Sequence, residues 1–475
     1  MMSFRPARPT NIRPMNNASS SIFRRLMPAL FFFLVLAADL HAGQEKELQK
    51  YNALYETGRF KEASEFGLGL IGKKRGENSR LLESLQTAVA LRYDRQYELS
   101  TQVFEECEAM IRDHDEKSAL SNVTRDIGAT LVNDKAVDYT GTVYDGIMVN
   151  TYSALNYWQT GKPDMARVSF NRALDRQRRA LERFDSEIRK VQEELGRQQS
   201  REQADASMQS DQVRQIYSTI DQYQAYPDFT NPFTSYVAGL FFMSDGDYPK
   251  AAGVLKDAYG ISRNPVVMED LLMVERMMAG AREGAHTWVV FEAGCGPVKE
   301  EWRIDLPLYL VTEQVKYTGI ALPKLRLRES NSSVLSLRSP EGELGRTIEV
   351  ASIDRVVQTE FGKRYPVILR RAIASAIVKT TIQAEAQQRT GNLGGFMAGL
   401  LQRATTSADL RIWTGLPKEF QVARVDPPAA GTIEFSTPDG KRFGVVVPTD
   451  RSSLVYVKIP SAEASPFVEV MPFSN

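Results

Sequence analysis

The stretch FEAGCGPVKEEWRIDLP, from Phe291 to Pro307, brings a thiol, an amine and two carboxylates close together. Cys295 stands between Gly294 and Gly296, Lys299, Glu300 and Glu301 follow, and His286 lies just upstream. A nucleophilic cysteine needs a base to form its thiolate and donors for the developing oxyanion. If TWVVFE is a strand, its whole length separates His286 from Cys295, and His114 belongs to the other half of the chain. A phosphate loop would need the GxxxxGK[ST] frame. Here Pro297 removes a backbone donor and two acids follow, which would repel an anion. In an extended chain Glu300 and Glu301 point to opposite faces, a poor geometry for an acid and base pair.

No catalytic residue is therefore expected. The stretch reads as the tight turn of the first hairpin of a β-rich region, with Gly294 and Gly296 giving backbone freedom and Pro297 setting the exit. The cysteines and histidines have no zinc spacing, and DYTGTVYDG (138–146) lacks the EF-hand frame, so no metal or cofactor is expected. Cys107 and Cys295 fall in different predicted domains and are not expected to pair. A formal net charge of zero gives no basic footprint for nucleic acid.

Four stretches before residue 284 share a helix–turn–helix pattern in which a glycine or polar turn precedes a small residue, then a large apolar one. The first has Gly58, Phe60, Ala63 and Leu70; the second Tyr97, Ser100, Phe104 and Cys107. The third has Gly161, Ala166, Phe170 and Ala173; the fourth Gly246, Tyr248, Ala251, Leu255 and Ala258. The pattern resembles the tetratricopeptide (TPR) repeat, a unit of about 34 residues that stacks into a solenoid because no single copy buries its own apolar face. The spacing is irregular. Leu174, Leu181, Phe184, Ile188, Val191 and Leu195 predict that the second helix of the third copy continues into an arm at about 174–224. The first helix of each TPR unit lines a concave groove. Thr151, Leu155, Trp158 and Gln159 of the third copy, with Tyr236, Leu240 and Met243 of the fourth, are the expected partner-binding residues.

After Gly284 come short alternating runs: TWVVFE, EWRIDLPLYL, QVKYTGIALP, SSVLSLRS, RTIEVAS, EFQVARV, GTIEFS, RFGVVVP, SLVYVKIP and FVEV. Pro438-Asp439-Gly440 between two of them predicts a hairpin. Residues 285–475 are read as a β-rich domain, a sandwich or partly open barrel. A helical insertion at about 355–405 is expected to start near Pro366, with Leu369, Ile373, Ile377 and Thr380 on one face. Gly395 and Gly399 then stand in a GxxxG spacing within a run too short to span a membrane. The fold class is multidomain α + β, with a TPR-like solenoid at 43–284.

Residues 1–42 have the layout of a secretory signal peptide: five arginines, the apolar run Leu26–Ala38, then DLHAG. HTWVVFEAGCGPVKEEWRIDLPLYL, ADLRIWTGLPKEFQVARV and the preceding repeat array together resemble an uncharacterised bacterial family. Its members are exported, often lipid-anchored, with a TPR-like half and a β-rich C-terminal half. The resemblance implies a place in the cell envelope and no established enzyme activity, and some relatives accompany cell-wall synthesis factors. This chain lacks the anchoring cysteine. The expectation is a periplasmic, non-enzymatic scaffold or adaptor that binds an envelope protein through the groove, with peripheral membrane or cell-wall contact. The alternative is a peptidoglycan-binding or glycan-active β-domain on a TPR stalk, for which Trp302 and Trp413 would be exposed.

Overall fold

A computed structural model describes residues 46–120, 138–196, 213, 217–218, 224–312, 315–330, 333–377, 380 and 407–473. The leader, the distal part of the arm and the GxxxG spacing lie outside them. The described chain is mixed α + β, helical before residue 279 and sheet-bearing after 286. The helices are α1 (46–56), α2 (Phe60–Ile71), α3 (Leu81–Tyr93), α4 (Tyr97–Leu120), α5 (Val143–Gln159), α6 (Pro163–Gly196), α7 (Pro232–Ser244), α8 (Tyr248–Ser262) and α9 (Pro265–Met278). A tenth, α10, covers 353–377.

Four pairs, α1–α2, α3–α4, α5–α6 and α7–α8, are joined by one and the same turn. Its middle residue is left-handed: Gly58 (φ 73°), Arg95 (φ 61°), Gly161 (φ 69°) and Gly246 (φ 76°). In each, that residue's N–H and the next one's donate back into the first helix, as in Gly161 N to Trp158 O (3.1 Å) and Lys162 N to Tyr157 O (2.9 Å). The small residues that let the helices of a pair approach, Ala63, Ser100, Ala166 and Ala251, are fully buried. Gly280 (φ 92°) repeats the turn after α9, but there the chain leaves into a strand rather than a second helix. Start signals are local. Thr142 and Asp145 form a capping box on α5, and Asn231 and Asn264 cap α7 and α9, each with proline next.

The strands are β1 (Thr287–Ala293), β2 (Val298–Thr312), β3 (Val315–Arg326), β4 (Ser336–Ser339), β5 (Gly342–Arg346), β6 (Ile348–Ser352), β7 (Glu419–Val425), β8 (Thr432–Ser436), β9 (Arg442–Val446), β10 (Ser453–Ile459) and β11 (Phe467–Pro472). They form a five-stranded sheet in the order β11-β10-β1-β7-β6, a four-stranded sheet β5-β4-β8-β9 and the two-stranded ribbon β2-β3. No barrel closes. Central β1 runs parallel to β10 and antiparallel to β7. Strand alternation divides the five-stranded sheet cleanly. Val289, Phe291, Ala293, Val455 and Val457 pack with Leu337, Ile433 and Phe435 of the four-stranded sheet. Trp288, Val290, Phe420, Val422, Leu454 and Tyr456 face the helices. The order is helices, sheet, sheet.

Three expectations change. The Cys295 turn closes no hairpin: β1 and β2 belong to different sheets, so residues 294–297 carry the chain from one to the other. Helix α10 begins at 353, where Ser352 Oγ accepts from Arg355 N (3.3 Å), and Pro366 lies inside it. Its expected face, Leu369, Ile373, Ile377 and Thr380, is nevertheless buried. On α6 the inward stripe passes through Ala180 and Phe184, leaving Leu181 exposed. The PDG hairpin does form, between β8 and β9, with Gly440 at φ 89°.

Candidate functional site

The first helices of the pairs should present a concave face. In the structure these helices pack against the five-stranded sheet, through Arg92 and Tyr93 of α3 and Tyr152 of α5. Helices α5 and α7 are buried along nearly their whole length, and so is α3. Of the groove residues expected to meet a partner, Thr151, Leu155, Tyr236 and Leu240 are fully buried, Met243 and Trp158 nearly so, and Gln159 is half-buried. Trp158 packs edge-on to Phe241 and against Phe473. Thr151 Oγ1 lies 2.9 Å from Thr234 Oγ1. The Tyr236 hydroxyl donates to Asp270 Oδ2 (2.8 Å). These residues are core positions of the chain, packed by its own helices and sheet, which removes their apolar surface from water.

At the centre of this contact stands Glu292, a fully buried carboxylate in an otherwise apolar strand. Tyr93 on α3 donates to its Oε2 (2.6 Å), and Tyr152 on α5 donates to its Oε1 (3.0 Å). Tyr456 on β10 donates to Oε1 as well. Lys458, which pairs with Glu292 in register across β1 and β10, places Nζ 3.5 Å from Oε2 and donates to Gly294 O (2.9 Å). Burial first, then the Glu292 charge, raises the Tyr93, Tyr152 and Tyr456 hydroxyls well above the ordinary phenol value, so they stay protonated donors.

Two further groups of buried charge flank this centre. Arg92 on α3 donates to Glu469 Oε1 on β11 (2.9 Å) and to Asn156 Oδ1 (2.7 Å). Burial would lower the guanidinium, but the Glu469 charge together with the Tyr456, Tyr93 and Tyr97 hydroxyls holds Arg92 above its ordinary value. Asp270 on α9 accepts from Tyr236, from Trp288 Nε1 (3.1 Å) and from Arg424 Nη1 (2.8 Å). Burial pushes its carboxyl up to about 6 despite these donors. The 408–418 loop completes the seal. Tyr55 donates to Gly415 O (2.7 Å), and a Cβ at Gly415 would lie 2.7 Å from Val89 Cγ1, so only glycine fits there.

Glu292 accepts from three hydroxyls and faces an ammonium, and nothing around it is open to solvent. Cys295 is equally enclosed: its Sγ lies 3.5 Å from Pro460 O, burial raises its thiol, and β1 separates it from His286. Cys107 and Cys295 are both free and buried. Glu300 pairs with Arg326, and Glu301 accepts from Ala408 N (3.0 Å), so the adjacent carboxylates serve separate partners. Among the described residues no group of acids, histidines and cysteines could hold a metal ion, and no helix is long and apolar enough to cross a membrane. Trp413, expected on the surface, is buried against Phe104 and Tyr152, and Trp302 is half-buried beside Lys324.

Glu292 lies inside the expected strand TWVVFE and is not among the expected site residues. A signal was present: single charges at Glu292, Lys458 and Glu469 inside strands that are otherwise uncharged. Searches of protein-family models, curated proteins and solved structures find no match to this chain.

Proposed function

We propose that the protein is an exported scaffold or adaptor of the cell envelope. Its TPR-like helical half holds its own β half as a fixed platform, and protein partners meet the outer surface. The observation that supports this reading is the burial of α3, α5 and α7, the first helices of their pairs, along nearly their whole length. Four helix pairs share one common turn, and the buried Glu292 they enclose is held by the hydroxyls of Tyr93, Tyr152 and Tyr456 of the chain itself. Partner contact then falls on outward residues such as Met165 and Val168, which are exposed one turn apart on α6.

The test is chemical cross-linking of the full chain in cell envelopes, followed by capture. A partner retained by Tyr236→Phe but lost with Met165→Glu/Val168→Glu, both variants folding normally, is the expected result. A partner lost with Tyr236→Phe and kept by the outer-face variant would return the contact to the groove. Specific sedimentation with purified peptidoglycan, without any captured protein, would favour the glycan-binding alternative.

A further inference from the structure

Among the described residues the chain passes between its helical and sheet halves once, through 279–286, and Ala279 to Arg282 of that connector are exposed. Everything else joining the halves is non-covalent, and the buried charged contacts on the five-stranded sheet follow the order of its strands. The helical half offers Arg92, then the hydroxyls of Tyr93 and Tyr152, then the carboxylate of Asp270. The sheet half answers with Glu469 on β11, Glu292 on β1 and Arg424 on β7. These strands follow the sheet order β11-β10-β1-β7, so the matching charges are of opposite sense on its two sides. A sheet docked in the reverse direction would bring Arg92 toward Arg424 and Asp270 toward Glu469, burying like charges together. Such juxtapositions cost several kcal/mol and reject the wrong orientation.

We infer that the concave helical face is a recognition surface for a β-sheet face bearing this order of charges, and that the sheet half of a second copy can occupy it in place of the chain's own. A second copy carries the matching face by identity, and one exposed connector is all that must reroute for two copies to exchange halves. This goes beyond the scaffold reading and does not depend on it.

The experiment keeps the full chain and places a protease recognition sequence between Ala281 and Gly284. After folding and cutting, the halves are expected to elute as one particle. Two cut preparations with different tags, mixed, loosened in urea and returned to buffer, are expected to yield hybrids of a helical half from one and a sheet half from the other. In competition, the helical half should choose a wild-type sheet half over one carrying Glu469→Gln and Arg424→Gln by more than about tenfold, as expected for lost charge-assisted bonds. The variant chain is first shown to stay paired with its own helical half after cutting, so misfolding is not read as discrimination. Tyr152→Phe in the helical half, which keeps the ring, should lower hybrid yield less. Separation of the halves on cutting, absence of hybrids, or equal use of variant and wild-type sheet halves would each overturn the inference.

Discussion

At the scale of single residues, Glu292 decides how the middle of the molecule is built. Replacing it by alanine leaves the Lys458 ammonium buried without its counter-charge and three hydroxyls without an acceptor. Urea unfolding should show a loss of about 3–5 kcal/mol, with Glu292→Gln costing less. A loss under 1 kcal/mol for the alanine variant would mean the network contributes little. Asp270 has an opposite dependence on pH from a surface carboxylate. Its carboxyl lies at about 6 in the folded chain against 3.8 as the ordinary value. Between those two values the folded state holds a proton that the unfolded state has released. The group's contribution therefore improves as pH falls through 6 and is complete below 3.8, and above 6 the buried charge costs on the order of 3 kcal/mol. Asp270→Asn removes this slope. From pH 7.5 to 4.5 the unfolding free energy of the wild type should gain about 2 kcal/mol relative to that variant. A difference that stays constant with pH would contradict the assignment.

At the scale of elements, the shared turn explains both why the repeat pattern shows in the sequence and where it fades. Gly161 and Gly246 are left-handed, and a Cβ at either would meet nothing within 4 Å. Gly246→Ala therefore probes the backbone alone and should cost about 1–2 kcal/mol of thermal stability. Gly239 within α7 is different: a Cβ there would come within 2.6 Å of Leu255 Cγ, so Gly239→Ala adds a steric cost to the approach of α7 and α8. The second pair places Arg95 at the left-handed position, and its side chain donates to Val468 O (2.6 Å) and stacks over Phe467. That reach onto β11 is why a turn otherwise made by glycine reads weakly here. Arg95→Gly should be nearly neutral, because the relieved backbone offsets the lost contact, and a destabilisation above 2 kcal/mol would show that the contact dominates.

At the scale of the whole molecule, one apolar core runs from Tyr51 through the α-helices to Trp288, Tyr456 and Phe473. Helical and sheet halves that share a core should unfold together. Far-ultraviolet dichroism and the fluorescence of the buried Trp288 and Trp413 are expected to follow one transition, and two separated transitions would show that the halves stand independently. The amino-acid sequence by itself determined most of the elements. Strand periodicity, turn residues and caps act over a few positions, so TWVVFE, SLVYVKIP, the PDG hairpin and the small-residue positions Ala166 and Ala251 are legible where they stand. β5 was not, because GELGR has neither an apolar alternation nor a β-branched residue. Only the tertiary structure decided what covers the groove. Trp158, Tyr236 and Leu240 have the composition of a partner-binding surface and of a buried core alike, and Glu292 looks like a solvated charge until Tyr93, Tyr152, Tyr456 and Lys458 surround it. Those contacts join residues more than a hundred positions apart, and no local pattern records which apolar face will meet which.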